Sequence, residues 1–475
     1  MHAALAALPQ VLARLDADRT GALERWFEVL RLPSISAQPE HAADCRAAAG
    51  WFRDRLAEIG FTAGLRETGG HPVVLAQHAG PAGATSGGVP HLLFYGHYDV
   101  QPAEPLERWT TAPFAPSLAE GPYGPRAIAR GAVDDKGQVM TWLEAFRAWH
   151  QAGGGLPVRV TVLIEGEEET GSPNLDPFLA AHRGELAADL AVISDTNMWD
   201  VDTPAITTRL RGLVYAEITL RAAARDLHSG LYGGAARNPI NALTQILGQL
   251  HDDDGRVGLP GFYDAVRALP EAVAAQWQGL GFDEAGFLGG AGLATAAGER
   301  GRPVLEQLWA RPTADINGIW GGYTGPGAKT VIPAEAHAKL SFRLVPDQDP
   351  AAIEAALRRF VTERLPADTT AEIRILGASP GIAVSTDTGW ARAAQAALVA
   401  EFGRPAVLAG SGGSIPVVES LRRLLGIDTL LMGFGLDDDQ VHGPNEKFEL
   451  RCFHHGARAH VRLLSGLAAA GKLRG

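Results

Sequence analysis

The chain has 475 residues, 46% of them hydrophobic and 20% charged, which fits a folded protein of two to three domains with a large buried core. A net charge of −12 without any dense Lys/Arg run disfavours binding to nucleic acid or to an anionic membrane. No apolar stretch reaches the ~18 residues of a membrane span, Arg14, Asp16, Asp18 and Arg19 break up any signal core, and Cys45 and Cys452 are too few for a disulfide framework, so the expected location is cytoplasmic.

In chain order, helices are expected over Ala22–Leu32 and Ala42–Gly60, the second stopped by its glycine, followed by a surface loop at Ala79–Gly88. Near-continuous apolar runs then appear at His91–Tyr95, Val158–Ile164 and Leu190–Ile193, with a helical pattern at Gln138–His150 between them. Such strands alternating with helices predict a mostly parallel sheet covered on both faces.

From about Gly212 the pattern changes to strict alternation. Val214, Ala216, Ile218 and Leu220 share one face, as do Ala338, Leu340, Phe342 and Leu344, leaving His337, Lys339, Ser341 and Arg343 opposite. Asn238 as N-cap and Pro239 in the first turn start a helix with the stripe Ile240, Leu243, Leu247 and Leu250, and Pro350–Leu365 forms another; Gly286–Gly301 is expected to loop. A half-buried sheet with helices on one side is a separate small domain. Strands of the first kind resume at Ala406–Leu408 and Thr429–Phe434. The prediction is an α/β protein: a mostly parallel-sheet domain, 1–210 and 380–475, interrupted by an α+β domain, 211–379.

In an open parallel sheet, ligands bind beyond the carboxyl ends of the strands. Here those ends carry His97 and Asp99; Glu167, Glu168 and Glu169; Asp195; and, after the last run, His442 and Glu446. The loop GAVDDKG adds Asp134 and Asp135. So many carboxylates at one sheet edge are untenable as bare anions, and divalent cations resolve the repulsion. Mixed histidine and carboxylate ligation suits zinc, with manganese or cobalt as alternatives. His97 and Asp99, two apart in extended chain, point to one side, so Asp99 can hold the imidazole; Glu168 and Glu169 are adjacent and diverge, so one can ligate while the other stays free as a general base. Singly, each group reads as a core histidine, an N-cap or a solvated turn; together, at the ends of buried strands, they point to a metal site.

The segments GHYDVQP, GAVDDKG, EGEEETGS, ISD, RDLHSGLYGG, AKTVIP, FRLVP, GGSIPV and VHGPNEK, in that order, resemble the zinc metallopeptidase family of carnosinases and cytosolic nonspecific dipeptidases, which includes the carboxypeptidase G and succinyl-diaminopimelate desuccinylase types. The resemblance implies two zinc ions per chain, one held by His97, Asp134 and Asp195 and the other by Asp134, Glu169 and His442. It further implies Glu168 as general base, Asp99 as partner of His97, and an inserted domain that acts as lid and dimerises. His228 would then reach the active site of the other subunit, with Thr330 and Arg343 at the substrate's terminal carboxylate and Ser414 on the substrate loop. Relatives commonly carry an arginine two residues before GGSIP, where this chain has Gly410. The implied reaction is hydrolysis of the amide bond of a dipeptide or similar small substrate by a homodimer. The rivals are an N-acyl or N-carbamoyl amino acid hydrolase on the same site, a metal- or ligand-binding protein without catalysis, against which a free Glu168 argues, and a serine hydrolase, for which GSGGS lacks the nucleophile-elbow setting.

Overall fold

The computed structural model of the chain describes residues 2–81, 88–413 and 415–471; the middle of the expected surface loop, 82–87, and Ser414 lie outside the described residues. The chain divides into two compact units, Met1–Thr208 with Val384–Ala409 and Pro416–Gly475, and Arg209–Ala383 with Gly410–Ile415.

In the first unit the strands follow the order Thr62–Arg66, Val73–His78, Arg159–Glu165, His91–His97, Leu190–Ile193, Thr429–Leu431 and Ala205–Leu210. The four strands from Arg159–Glu165 to Thr429–Leu431 are parallel, and antiparallel pairings flank them on both sides. The sheet is thus mixed, with the apolar runs at its parallel centre, where both faces are covered. Parallel register sets His97 beside Glu165 and Tyr95 beside Ile193, so these strands release their following residues at one edge.

Helix Lys136–Ala152 is buried along nearly its whole length and packs against Leu450–Ala470, Trp142 lying 5.1 Å from the Phe94 ring. The His460 ring stacks on Trp142 at 3.9 Å. Thr141 Oγ1 donates to Gln138 O and so accepts from His460 Nδ1, while Ser194 Oγ accepts from Trp142 Nε1 and donates to His460 Nε2. Burial holds the His460 pKa well below its ordinary value, so the ring is a neutral strut beneath the strand end that carries Asp195.

The sequence pattern missed helix His2–Ala17, whose Val11, Leu12 and Leu15 join the core. The expected Ala22–Leu32 helix spans Arg19–Leu30, ending before Leu32, whose helical geometry the following Pro33 disfavours. Cys45 and Cys452 are both free and buried, and no described helix is long and apolar enough to cross a membrane.

The second unit carries an antiparallel sheet in the order Thr313–Gly321, Glu335–Leu344, Gly212–Arg221, Thr370–Ser379. The alternation predicted from sequence is the alternation observed: the apolar face packs with helices Pro239–Leu247 and Pro350–Thr362 into one core. Asn238 caps the first of these helices by accepting from Ile240 N at 2.9 Å. The Gly-rich segment 286–301 is corrected in part, because Asp283 accepts from Gly286 N and starts a short helix, Glu284–Gly290.

In the first unit, Glu401 of helix Gly389–Phe402 meets three donors on Leu450–Ala470: His455, Arg458 and Arg462, each at 2.7–2.8 Å. Burial raises the carboxyl pKa, but these three hydrogen bonds together outweigh it and hold the group at about 2. A depressed carboxylate stabilises the fold fully above its ordinary value and loses that contribution as pH falls from about 4.5 towards 2. Glu401→Gln should therefore cost on the order of 3 kcal/mol at neutral pH and flatten the acid limb of stability. Urea midpoints measured from pH 7 to pH 3 check this; parallel curves for the two proteins would contradict it.

Candidate metal centre

All seven expected site residues of the first unit converge. His97, fully buried at the end of its strand, points Nε2 at Asp134 Oδ1 (3.2 Å) and Asp195 Oδ2 (3.9 Å). The other oxygen of Asp134 lies 2.9 Å from His442 Nε2, which is also 3.2 Å from Glu169 Oε2. Two ligand sets result, His97–Asp134–Asp195 and Asp134–Glu169–His442, each with its donor atoms within 4.8 Å of one another. Asp134 belongs to both, and Glu168 to neither.

Local structure explains each placement. Gly96 has no side chain because a Cβ there would sit 2.5 Å from Val139 Cγ2 and 2.9 Å from Asp135 Oδ2. That close approach lets Asp135 accept from His97 N at 3.1 Å. The three glutamates after Glu165 separate by role: Glu167 accepts twice from Asn174 Nδ2, Glu169 accepts from Gln101 Nε2 at 2.8 Å, and Glu168 remains outside the ligand sets. His442 has a φ of 62°, and its loop is pinned by Asn445, which accepts from Thr110 and donates to Arg108 O. Asp99 lies against His97 Nδ1, but its carbonyl is nearer (3.1 Å) than its carboxylate (3.4 Å). That carboxylate accepts from Ser36 Oγ and Glu169 N.

The electrostatics ask for positive charge. Hydrogen bonds to Asp134 and Glu169 push His442 up to about 10, so its proton holds the two carboxylates together. Burial drives Asp195 well above its ordinary value, with Asp134 and Asp135 adding repulsion. Buried His97 Nε2 faces two carboxylates without a hydrogen bond. A donor set of two imidazoles and three carboxylates, with an orphaned ring nitrogen at its centre, fits divalent cations such as zinc, manganese or cobalt. Burial also pushes Glu168 up to about 7, a value suited to taking and returning a proton near neutral pH.

The remaining candidates lie in the second unit. His228 is exposed and caps Ser229–Tyr232, its Nδ1 accepting from Gly230 N at 2.9 Å, which leaves the ring proton on Nε2 as an outward donor. The short pairing Leu227–His228 with Val331–Ile332 brings Thr330 beside it, Thr330 O accepting from Ser229 N. Arg343 stands on the polar side of its strand, opposite Leu213. Sequence reasoning missed its neighbour Arg211: burial, and then the charge of Arg343, pull this guanidinium down to about 10. Arg211 binds the segment next to Ser414, donating from Nε to Gly412 O and from its backbone N to Ser411 O and Gly413 O.

Residues 93–466 match the description "Peptidase family M20/M25/M40". The chain belongs to this peptidase family. It is 30% identical over 464 residues to the Cys-Gly metallodipeptidase DUG1 of Candida albicans, with 92% of each chain covered. It is 32% identical over 383 residues to the human Beta-Ala-His dipeptidase, covering 79% of this chain and 73% of that one. Among solved structures, an M20 family metallo-carboxypeptidase, Sso-CP2 from Sulfolobus solfataricus, superposes with a TM-score of 0.82 at 31% identity, covering 94% of this chain and 99% of that one.

In this M20 peptidase, Gly410, where the motif resemblance leads one to expect an arginine, has no room for a side chain. A Cβ at Gly410 would lie 2.5 Å from Trp309 Cβ and 2.8 Å from its Cγ, and Trp309 is itself packed edge-on against Trp277 at 5.1 Å. The indole root occupies the space a side chain would need. Gly410→Ala and Gly410→Arg should each destabilise the protein by about 1–3 kcal/mol, the usual cost of overpacking. Thermal melts of both variants check this, and unchanged melting of Gly410→Arg would remove the steric explanation.

Proposed function

We propose that this M20 peptidase is a dinuclear metal-dependent dipeptidase, hydrolysing the amide bond of a dipeptide or similar small substrate. The observation that carries the reading is a carboxylate, Asp134, shared between two ligand sets while the neighbouring Glu168 stays free of both. His97, Asp134 and Asp195 would hold one cation, and Asp134, Glu169 and His442 the other, with zinc expected. When bound, such cations polarise the scissile carbonyl and make a water acidic enough to attack near neutral pH. Glu168 then accepts the water's proton and returns it to the leaving amine. Asp99 keeps the His97 ring oriented. His228, with its proton on Nε2, offers a donor to the carbonyl oxygen as negative charge develops there. Arg343 and Thr330 bind the substrate's free carboxylate, for which a guanidinium fork is suited.

Glu168→Gln should retain its metal by elemental analysis yet turn over a dipeptide at least ~10²-fold more slowly. Loss of metal would instead exchange the roles of Glu168 and Glu169. Chelation should abolish activity, with recovery on adding zinc or manganese, and full activity in verified metal-free protein would end the reading. A panel of dipeptides against N-acyl and N-carbamoyl amino acids decides the substrate class.

The second unit supports a homodimer. Strand Thr313–Gly321 ends its sheet and exposes Ile316, Ile319 and Trp320, an apolar edge that a second copy would cover. In that assembly His228 acts in the partner's site. Mixing His228→Ala with Glu168→Gln subunits under conditions that exchange partners should restore roughly one quarter of full activity, because one site of each mixed dimer carries neither lesion. No recovery after proven exchange would mean that His228 acts within its own chain.

A further inference from the structure

The cluster around Asp134 rests on a buried ion pair that the proposed chemistry does not use. Glu446 and Arg130 are both within 1% of full burial, with Arg130 Nη1 donating to Glu446 Oε2 at 2.9 Å. The same oxygen accepts from Gly131 N at 2.9 Å, and Oε1 accepts from Val133 N and Asp134 N at 2.9 and 3.1 Å. One carboxylate thus gathers four donors, three of them backbone amides of the loop that presents Asp134. The other arm of Arg130 donates to His442 O and to Pro102 O, both at 3.1 Å. Backbone pairing of Ala129 N with Glu446 O closes the junction. The pair therefore fastens together the Asp134 loop, the His442 loop and the segment that follows His97.

We propose that Arg130 and Glu446 are positioning residues that fix Asp134 and His442 at their shared distance before any cation binds, so that the two ligand sets are preorganised. The inference rests on the dinuclear reading above. Its chemical basis is that all four donors meet acceptor-only oxygens. A protonated or amide group in place of the carboxylate would turn a hydrogen towards an N–H. Burying such an ion pair is costly, and well-packed apolar residues often serve stability as well, so its placement here is better explained by geometry than by fold energy.

Two measurements decide it. In wild-type, metal-free protein the amides of Gly131, Val133 and Asp134 should be protected from hydrogen exchange; free exchange that becomes protected only on adding Mn²⁺ would overturn the proposal, because the metal would then be organising the loop. Isosteric Glu446→Gln, and Arg130→Lys, which keeps the charge but loses the fork, should bind Mn²⁺ roughly 10–100-fold more weakly in calorimetric titration, the range typical of groups that orient ligands. Their kcat at saturating Mn²⁺ should fall while KM for a dipeptide stays within about twofold. Wild-type Mn²⁺ affinity in a folded Glu446→Gln protein would overturn the assignment. If either variant fails to fold, the exchange measurement on wild type still decides. Wild-type protein that takes up no Mn²⁺ would instead refute the dinuclear reading, leaving the amide protection to judge the ion pair on its own.

Discussion

Asp134 reaches His97 Nε2 with one oxygen and His442 Nε2 with the other, at 3.2 and 2.9 Å, and the two histidines come from distant parts of the chain. Holding a carboxylate between two imidazoles constrains everything nearby. His97 must leave the sheet at the edge where Glu165 and Ile193 also end, which parallel register ensures. Gly96 must lack a side chain so that Asp135 can reach the His97 backbone. The His442 loop must turn through positive φ at Gln440, His442 and Asn445, conformations that side-chain-bearing residues adopt at some cost and that the Asn445 hydrogen bonds help to secure.

Membership of the M20 family and the α/β architecture were legible because their signals are local. Apolar runs mark the buried strands, and the chemistry-bearing residues follow each run within a few positions, so convergence could be argued before any geometry was known. The alternating strands of the second unit were equally readable, since a period of two assigns faces without knowledge of the partner. What could not be read depends on tertiary contacts. Helix His2–Ala17 has only modest amphipathic character and Pro9 within it, and it is held by packing of Val11, Leu12 and Leu15 in the core. Glu446 was visible as one more acid beyond a strand, but its four donors lie at residues 130–134, more than 300 positions away. Asp99 illustrates a milder limit: extended spacing puts its carboxylate beside the imidazole, yet the strand ends at His97 and the turn that follows brings the carbonyl closer.

Arg211 marks a different limit. At Gly410 the motif resemblance leads one to expect an arginine, and the local sequence holds no reason for the glycine. The structure relates the absence to Trp309, which fills the space, and places Arg211 against the same segment from another strand. Substitution at one position and packing at another are thus parts of a single arrangement within the second unit.

The strongest support for a bound cation comes from following each buried acid around Asp134 to its partner. Glu446 is answered by Arg130 and three amides, and Glu167 by Asn174. Asp99 is answered by Ser36 and the Glu169 amide. Glu165 receives Tyr95 and Ser172 hydroxyls, but burial outweighs them and pushes it up to about 8, so it is largely protonated at neutral pH and adds little charge. Each of these acids is either paired, hydrogen-bonded or neutral. Burial drives Asp135 and Asp195 well above their ordinary values and Glu168 up to about 7, so these acids give up charge where they lack a cation. Asp134 and Glu169 remain, the latter with the Gln101 amide beside it, and among the described residues the positive charge within salt-bridge reach of the two comes from the rings of His97 and His442. A histidine ring that gives up its proton becomes a ligand, and the same five side chains then offer two candidate ligand sets that share Asp134. Mutually repelling buried carboxylates that face two imidazole nitrogens are the arrangement a divalent cation would relieve.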